Sequence, residues 1–193
     1  MASNEELFFT QQLFQQKNQL EKGTSKTTFN DCTFKNCDLS QENFKGCNFV
    51  NCEFDGCNLS MVKFKDVSLD GVTFKGSKLI GADFSSAKDF LFSVNFNDCI
   101  LDYATFVKKK NKKAKFINCA LKGTDFSGAD LTLSTFSRCD LSGAVFVKTI
   151  LAQVDFSEAY NFNIDPEQNN IRKALFSQAG LSGLLHKYDI VVA

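Results

Sequence analysis

Eight cysteines, one histidine and six lysines clustered between positions 108 and 115 are the residues of this chain with chemistry to offer. Thiolates could hold a metal, pair as disulfides or act in redox exchange, and a zinc site calls for closely spaced pairs completed by cysteine or histidine. Cys32, Cys37, Cys47, Cys52, Cys57, Cys99, Cys119 and Cys139 contain no C-x-x-C pair, and His186 stands far from all of them. Cys99, Cys119 and Cys139 lie 20 apart, and Cys32 with Cys52 and Cys37 with Cys57 share that spacing. Such thiols read as small buried hydrophobes stacked on one face. Asp38, Asp83, Asp125, Asp130, Asp140 and Asp155 recur at one phase, which suits turns better than acid–base work, and no glycine-rich phosphate loop is present. An enzyme is not expected, nor a cofactor or metal. Lys108, Lys109, Lys110, Lys112, Lys113 and Lys115 are the candidate partner contact, because so many lysines in one segment resist burial. No aromatic residue interleaves them, so base stacking is not indicated; a protein partner is expected rather than direct nucleic-acid binding.

What positions these residues is a period of five. Phe or Leu stands at Phe29, Phe34, Leu39, Phe44, Phe49, Phe54, Leu59, Phe64, Leu69, Phe74, Leu79 and Phe84. The series slips by two residues, resumes at Leu91, Phe96, Leu101 and Phe106, and continues from Phe116 every fifth residue to Phe156. Of 22 phenylalanines, 15 lie on this lattice. Neither the helical 3.6 nor the strand period of 2 produces it. The residue two before each of these centres is usually small, most often Cys, Val or Ala; the residue two after is often Gly, Asn or Asp, and eight of the 11 glycines fall there. These last types accept the positive φ of tight turns. Each unit thus reads as large-inside, turn, small-inside. Four units would close a square coil of 20 residues, with coils stacked at strand spacing. The 26 centres, counting Asn111, make about six and a half coils and a rod of roughly 30 Å.

The units Ala129-Asp130-Leu131-Thr132-Leu133, Ala82-Asp83-Phe84-Ser85-Ser86 and Cys139-Asp140-Leu141-Ser142-Gly143 resemble the pentapeptide-repeat family, whose consensus is A(D/N)Lxx. The resemblance covers residues 27 to about 159 and implies an all-β fold, a right-handed quadrilateral β-helix. The chain departs from the consensus by placing Phe at most centres and Cys at many small positions.

Three segments leave the pattern. Residues 85–92 gain two residues, giving either a bulged corner with Phe90 or Phe92 packed across it or a recognition loop. Residues 107–115 keep phase but place Asn111 at a centre, so one coil side is polar and distorted or one unit is looped out. Residues 160–193 leave the lattice through Pro166; residues 171–176 fit one more irregular coil, 179–188 a short amphipathic C-terminal helix and 189–192 a terminal strand. A solenoid end must be capped, and Leu181, Leu184, Leu185, Ile190 and Val192 give this cap apolar surface to spare, the candidate interface of a homodimer. Residues 1–26 form the opposite cap, with Leu7, Phe8, Phe9, Leu13 and Phe14 fitting either a short helix or an imperfect first coil.

The formal charge is zero, yet without the six lysines the remainder has sixteen basic against 22 acidic residues, a net −6. No apolar run is long enough to cross a bilayer and the start lacks a signal peptide's basic flank, so a cytoplasmic protein with reduced thiols is expected. Two functions remain. One is a protein-interaction scaffold meeting its partner through the lysines and loop. The other is implied by the resemblance: a Qnr-like rod that mimics DNA, binds the type II topoisomerases DNA gyrase and topoisomerase IV, and gives quinolone resistance. Mimicry needs acidic rows spaced like phosphates, and Lys63, Lys65, Lys75 and Lys78 interrupt any such row.

Overall fold

The structure is a computed structural model and describes residues 7–15, 26–40 and 42–190. The five-residue units wind into a parallel β-solenoid of about eight turns with one short helix at the C-terminal end. Its first side is a four-stranded sheet of β1 (Phe8–Thr10), β3 (Thr28–Asn30), β5 (Asn48–Val50) and β7 (Ser68–Asp70). Its second side is a nine-stranded sheet. In spatial order this holds β2 (Leu13–Gln15), β4 (Thr33–Lys35), β6 (Glu53–Asp55), β8 (Val72–Lys75), β9 (Val94–Asn97), β10 (Lys115–Ile117), β11 (Thr135–Ser137), β12 (Asp155–Phe156) and β13 (Leu175–Phe176). All pairs are parallel and in register, Phe14 with Phe34, Phe34 with Phe54, Phe54 with Phe74. The third and fourth sides are held by single parallel bridges such as Asn58–Lys78 and Thr105–Asp125.

Because every coil repeats the one below, like residues stack in columns. On the second side the phenylalanine rings lie face to face 4.6–5.3 Å apart from Phe14 to Phe176. Rings of adjacent sides meet edge to face, as Phe106 does with Phe116 at 6.0 Å and 86°. Both arrangements suit the ring quadrupole. Most corners two residues after a centre have positive φ, and Asn, Asp and Gly are joined there by Met61 (60°), Tyr103 (60°) and Leu133 (64°). At Gly123 the glycine is required twice over: φ is 62°, and a Cβ would sit 2.8 Å from the Tyr103 ring of the coil below.

The cysteines occupy the inward small position, and all eight are buried. They also bond. Cys52 Sγ donates to the Phe29 carbonyl at 3.3 Å and Cys57 Sγ to that of Phe34 at 3.2 Å. Ser77 Oγ does the same to Phe54 at 3.0 Å and Thr149 Oγ1 to Phe126 at 3.0 Å. The small position thus favours residues that cap the carbonyl of a centre in the coil below. Burial pushes the Cys52 and Cys57 thiols up to about 12, so neither supplies a thiolate near neutral pH.

Both ends extend the lattice. Residues 7–15 form a partial first coil rather than a helix, with Phe9 on Phe29 and Phe14 on Phe34; residues 16–25 lie outside the described set. At the other end the ladder passes residue 159 and closes with Leu175–Phe176 on Asp155–Phe156. The expected helix over 179–188 is shorter, α1 (Ser182–Leu185), flanked by 3-10 turns at Gln178–Gly180 and His186–Tyr188. Asp189 is left-handed (φ 50°) and Ile190 lies in no strand; residues 191–193 lie outside the described set.

Candidate interaction surface

The two-residue slip is visible in the ladder, where Phe54 pairs with Phe74 but Phe74 pairs with Phe96. The extra length is taken up on the first side, above β7. Leu91 is not an inward centre: it takes a positive-φ corner (55°) and is 57% exposed, and Phe90 beside it is 79% exposed. Phe92 turns in instead and packs edge-on against Phe84 at 6.5 Å. Asp89, 20 residues after Leu69 and therefore at centre phase, turns its carboxylate outward.

The lysine segment is one coil higher, and it is neither looped out nor distorted. Lys108 and Lys113 form ordinary corners (φ 61° and 60°), and Lys110 bridges Asp130 in the ladder. Five of the six candidate lysines, Lys108, Lys110, Lys112, Lys113 and Lys115, face solvent. Lys109 does not. It holds the inward small position and is 3% exposed, so it is no surface contact. Its ammonium donates to the Ala87 carbonyl at 2.5 Å and to Asp89 Oδ1 at 2.7 Å, over the Phe92 ring at 5.5 Å. A buried ammonium is tolerated only when paired and hydrogen-bonded, and the bulge provides both. Asn111, also buried, accepts from the Val94 N–H at 3.1 Å and donates to the Val94 carbonyl at 3.0 Å. The two breaks are therefore one structure, an insertion in one coil and its polar plug in the next. The signal lay in stacking them: residues 87 and 109 share a column once the slip is counted.

Outside, Phe90 and Leu91 are exposed in the coil before the one that carries Lys110 and Lys112, and the neighbouring Lys88 reaches Asn48 Oδ1 at 3.4 Å. Lys112 pairs with Asp130 at 3.1 Å. Burial pulls the Asp130 carboxyl up, but the Thr132 hydroxyl and N–H and the Lys112 ammonium hold it below the usual range. Among the described residues, Lys108, Lys110, Lys113 and Lys115 form no ion pair. The outward columns mix signs: Lys63, Asp83, Thr105, Asp125 and Val145 follow one another on the fourth side.

The C-terminal cap docks through glycines. A Cβ on Gly183 would lie 2.3 Å from the Phe162 carbonyl and one on Gly180 2.8 Å from its ring, while Ile164 N–H bonds Gly183 O at 3.0 Å. Of the candidate dimer residues, Leu181 (46%) and Ile190 (56%) are exposed, Leu184 packs on the core, Leu185 is half-buried and Val192 lies outside the described set. Cap and last coil border a groove of about 1080 Å³ lined by Tyr160, Phe162, Leu185, His186 and Ile190. Among the described residues, no three His, Cys, Asp or Glu side chains could hold a metal, and no helix is long and apolar enough to cross a membrane.

Lys187 clasps the cap to the rod, at 2.9 Å from Asp165 and 2.5 Å from Glu167, and Tyr188 OH donates to Glu167 at 2.9 Å. The Lys187 hydrogen bonds hold both carboxyls below their ordinary 3.8 and 4.5. Folded-state values below unfolded ones mean that the clasp is present above those ordinary values and is lost as pH falls through the lower, folded ones. Amide exchange across residues 182–188 is expected to quicken as pH drops from 5 to 3 after correction for intrinsic rates, and Glu167→Gln should reproduce part of that at neutral pH.

Square parallel coils of five-residue units, filled by stacked side chains, define a β-solenoid. The model of the "Pentapeptide repeat region" matches residues 27–106 and 109–184, and the chain belongs to the pentapeptide-repeat family. Among solved structures it is similar to trypsin-treated QnrB1, a plasmid-mediated fluoroquinolone resistance protein, at 20% identity and a TM-score of 0.65, covering 97% of this chain and 98% of that one. HetL, a pentapeptide-repeat protein involved in heterocyst differentiation regulation in the cyanobacterium Nostoc, is 15% identical with a TM-score of 0.34, covering 89% and 84%. No curated protein matches the chain in sequence.

Proposed function

We propose that this protein is a non-enzymatic, cytoplasmic scaffold that docks an acidic protein surface against the lysine-bordered bulge at residues 89–92. The observation carrying this reading is the exposed Phe90–Leu91 pair in a segment bordered by lysines, of which Lys108, Lys110, Lys113 and Lys115 have no ion-pair partner among the described residues. An apolar anchor within a charged border is the composition of a binding hot spot, and the border sets association rate and salt dependence. The test replaces Lys108, Lys110, Lys112, Lys113 and Lys115 by Ser and compares capture from the source cell, identified by mass spectrometry. Circular dichroism should be unchanged, and the partner retained by the parent should weaken by roughly tenfold or more. Equal capture by both forms sinks the proposal.

The Qnr-like alternative, a DNA-mimicking binder of DNA gyrase or topoisomerase IV giving quinolone resistance, draws support from a rod that aligns with QnrB1 along nearly its whole length. The mixed-sign columns oppose the mimicry. Protection of gyrase supercoiling from ciprofloxacin at micromolar protein would establish it. Leu181 and Ile190 remain the apolar candidates for a homodimer, which sedimentation at micromolar concentration decides: a mass of two chains, reduced to one in Leu181→Asp.

A further inference from the structure

From the plug beneath the bulge we infer that Lys109 is the positioning residue of the docking site, holding Phe90 and Leu91 outward from inside the coil; this rests on the docking reading above. In regular coils the carbonyl two residues before a centre accepts a backbone N–H from the coil above, as Lys109 O accepts from Asp130 and Ala129 O from Ile150, both at 2.8 Å. At Ala87 the Lys109 ammonium reaches that carbonyl at 2.5 Å. The same ammonium fixes Asp89 at 2.7 Å, the residue from which the bulge departs, and lies over Phe92, the residue at which it returns. Ammonium contacts therefore fix the exit and the return of the segment, leaving Phe90 and Leu91 as the span between. Asp89 is itself largely solvated, so the pair is anchored from the lysine side, where the stem is enclosed by the coil. A neutral side chain of similar volume fills the column yet supplies none of these contacts.

The chain has no tryptophan, so Phe90→Trp places the sole indole in the bulge, where it is excited selectively over the tyrosines. In that background Lys109→Met should raise amide exchange within residues 86–94 by roughly ten- to a hundredfold, the factor that follows from losing a charged hydrogen bond. Trp anisotropy should fall, exchange over 135–137 should hold, and Lys109→Arg should restore slow exchange. Unchanged exchange over 86–94 in Lys109→Met overturns the inference, and so does acceleration spread equally to 135–137. Should Lys109→Met not fold, Asp89→Asn takes its place, and unchanged exchange there is equally fatal. The five-serine variant keeps Lys109 and should keep slow exchange over 86–94 even if it loses its partner, so the two proposals fail separately.

Discussion

Phe116→Ala is expected to lower the free energy of unfolding by about 3–5 kcal/mol, the range of buried aromatic truncations that leave a cavity. The ring is fully buried, stacked on Phe96 at 5.1 Å and Phe136 at 4.6 Å, with edge contacts to Phe106 at 6.0 Å and Phe126 at 5.8 Å. Collapse around the void is restricted, because β10 is bonded in register to β9 below and β11 above, and the ladder fixes the coil spacing. A solenoid's stability is carried by nearest-neighbour interfaces, so a mid-rod defect weakens two at once. Urea unfolding of Phe116→Ala against Phe90→Ala measures this. The latter ring is 79% exposed and its loss should change stability by less than about 0.5 kcal/mol. A Phe116→Ala loss under about 1.5 kcal/mol would mean that the column repacks, and the ring stack would not be the main support of the rod.

The rod was legible because its cause is local and repeated. A large residue, a small one and a turn former recur at fixed offsets, and any chain obeying that rule must bend at every unit and bury the same two positions. Phe54 or Leu121 needs no neighbour to announce where it points. Lys109 is the opposite case. Its type argues for solvent, and only the bulge at Asp89, one coil away in space, supplies the carboxylate and carbonyl that make burial tolerable. A pattern scanned along the chain treats positions 89 and 109 as separate irregularities; a pattern folded at 20 residues, with the slip added, puts them in contact. Leu91 failed for a related reason. The lattice fixed its type but not which of several apolar residues in a lengthened segment would turn inward, and Phe92 fills the space. The cap was harder still, since Gly180 and Gly183 signal no period; they are needed because Phe162 lies against them.

Asn111→Leu separates these two ways of reading the chain. The lattice alone makes it an improvement, since Leu131 and Leu151 hold the same column in the coils above and burying Leu instead of Asn favours the core. The structure makes it damaging. The Asn111 amide is the partner of both the N–H and the carbonyl of Val94, buried where the lengthened segment rejoins β9. Leucine supplies neither donor nor acceptor, and each buried backbone group left without a partner costs about 1–3 kcal/mol. The gain from an added apolar side chain is about 1.5–3 kcal/mol when it fits, and here it must enter a site shaped for an amide. A net loss of about 2 kcal/mol follows from the central values, with amide exchange at Val94 and Asn95 rising further than at Phe126. Deleting the outward span, Phe90 and Leu91, in the Asn111→Leu background should recover part of the loss, because a coil of regular length then supplies the backbone rungs. Greater stability in Asn111→Leu alone would show that the amide clamp is incidental and that the bulge stands without it.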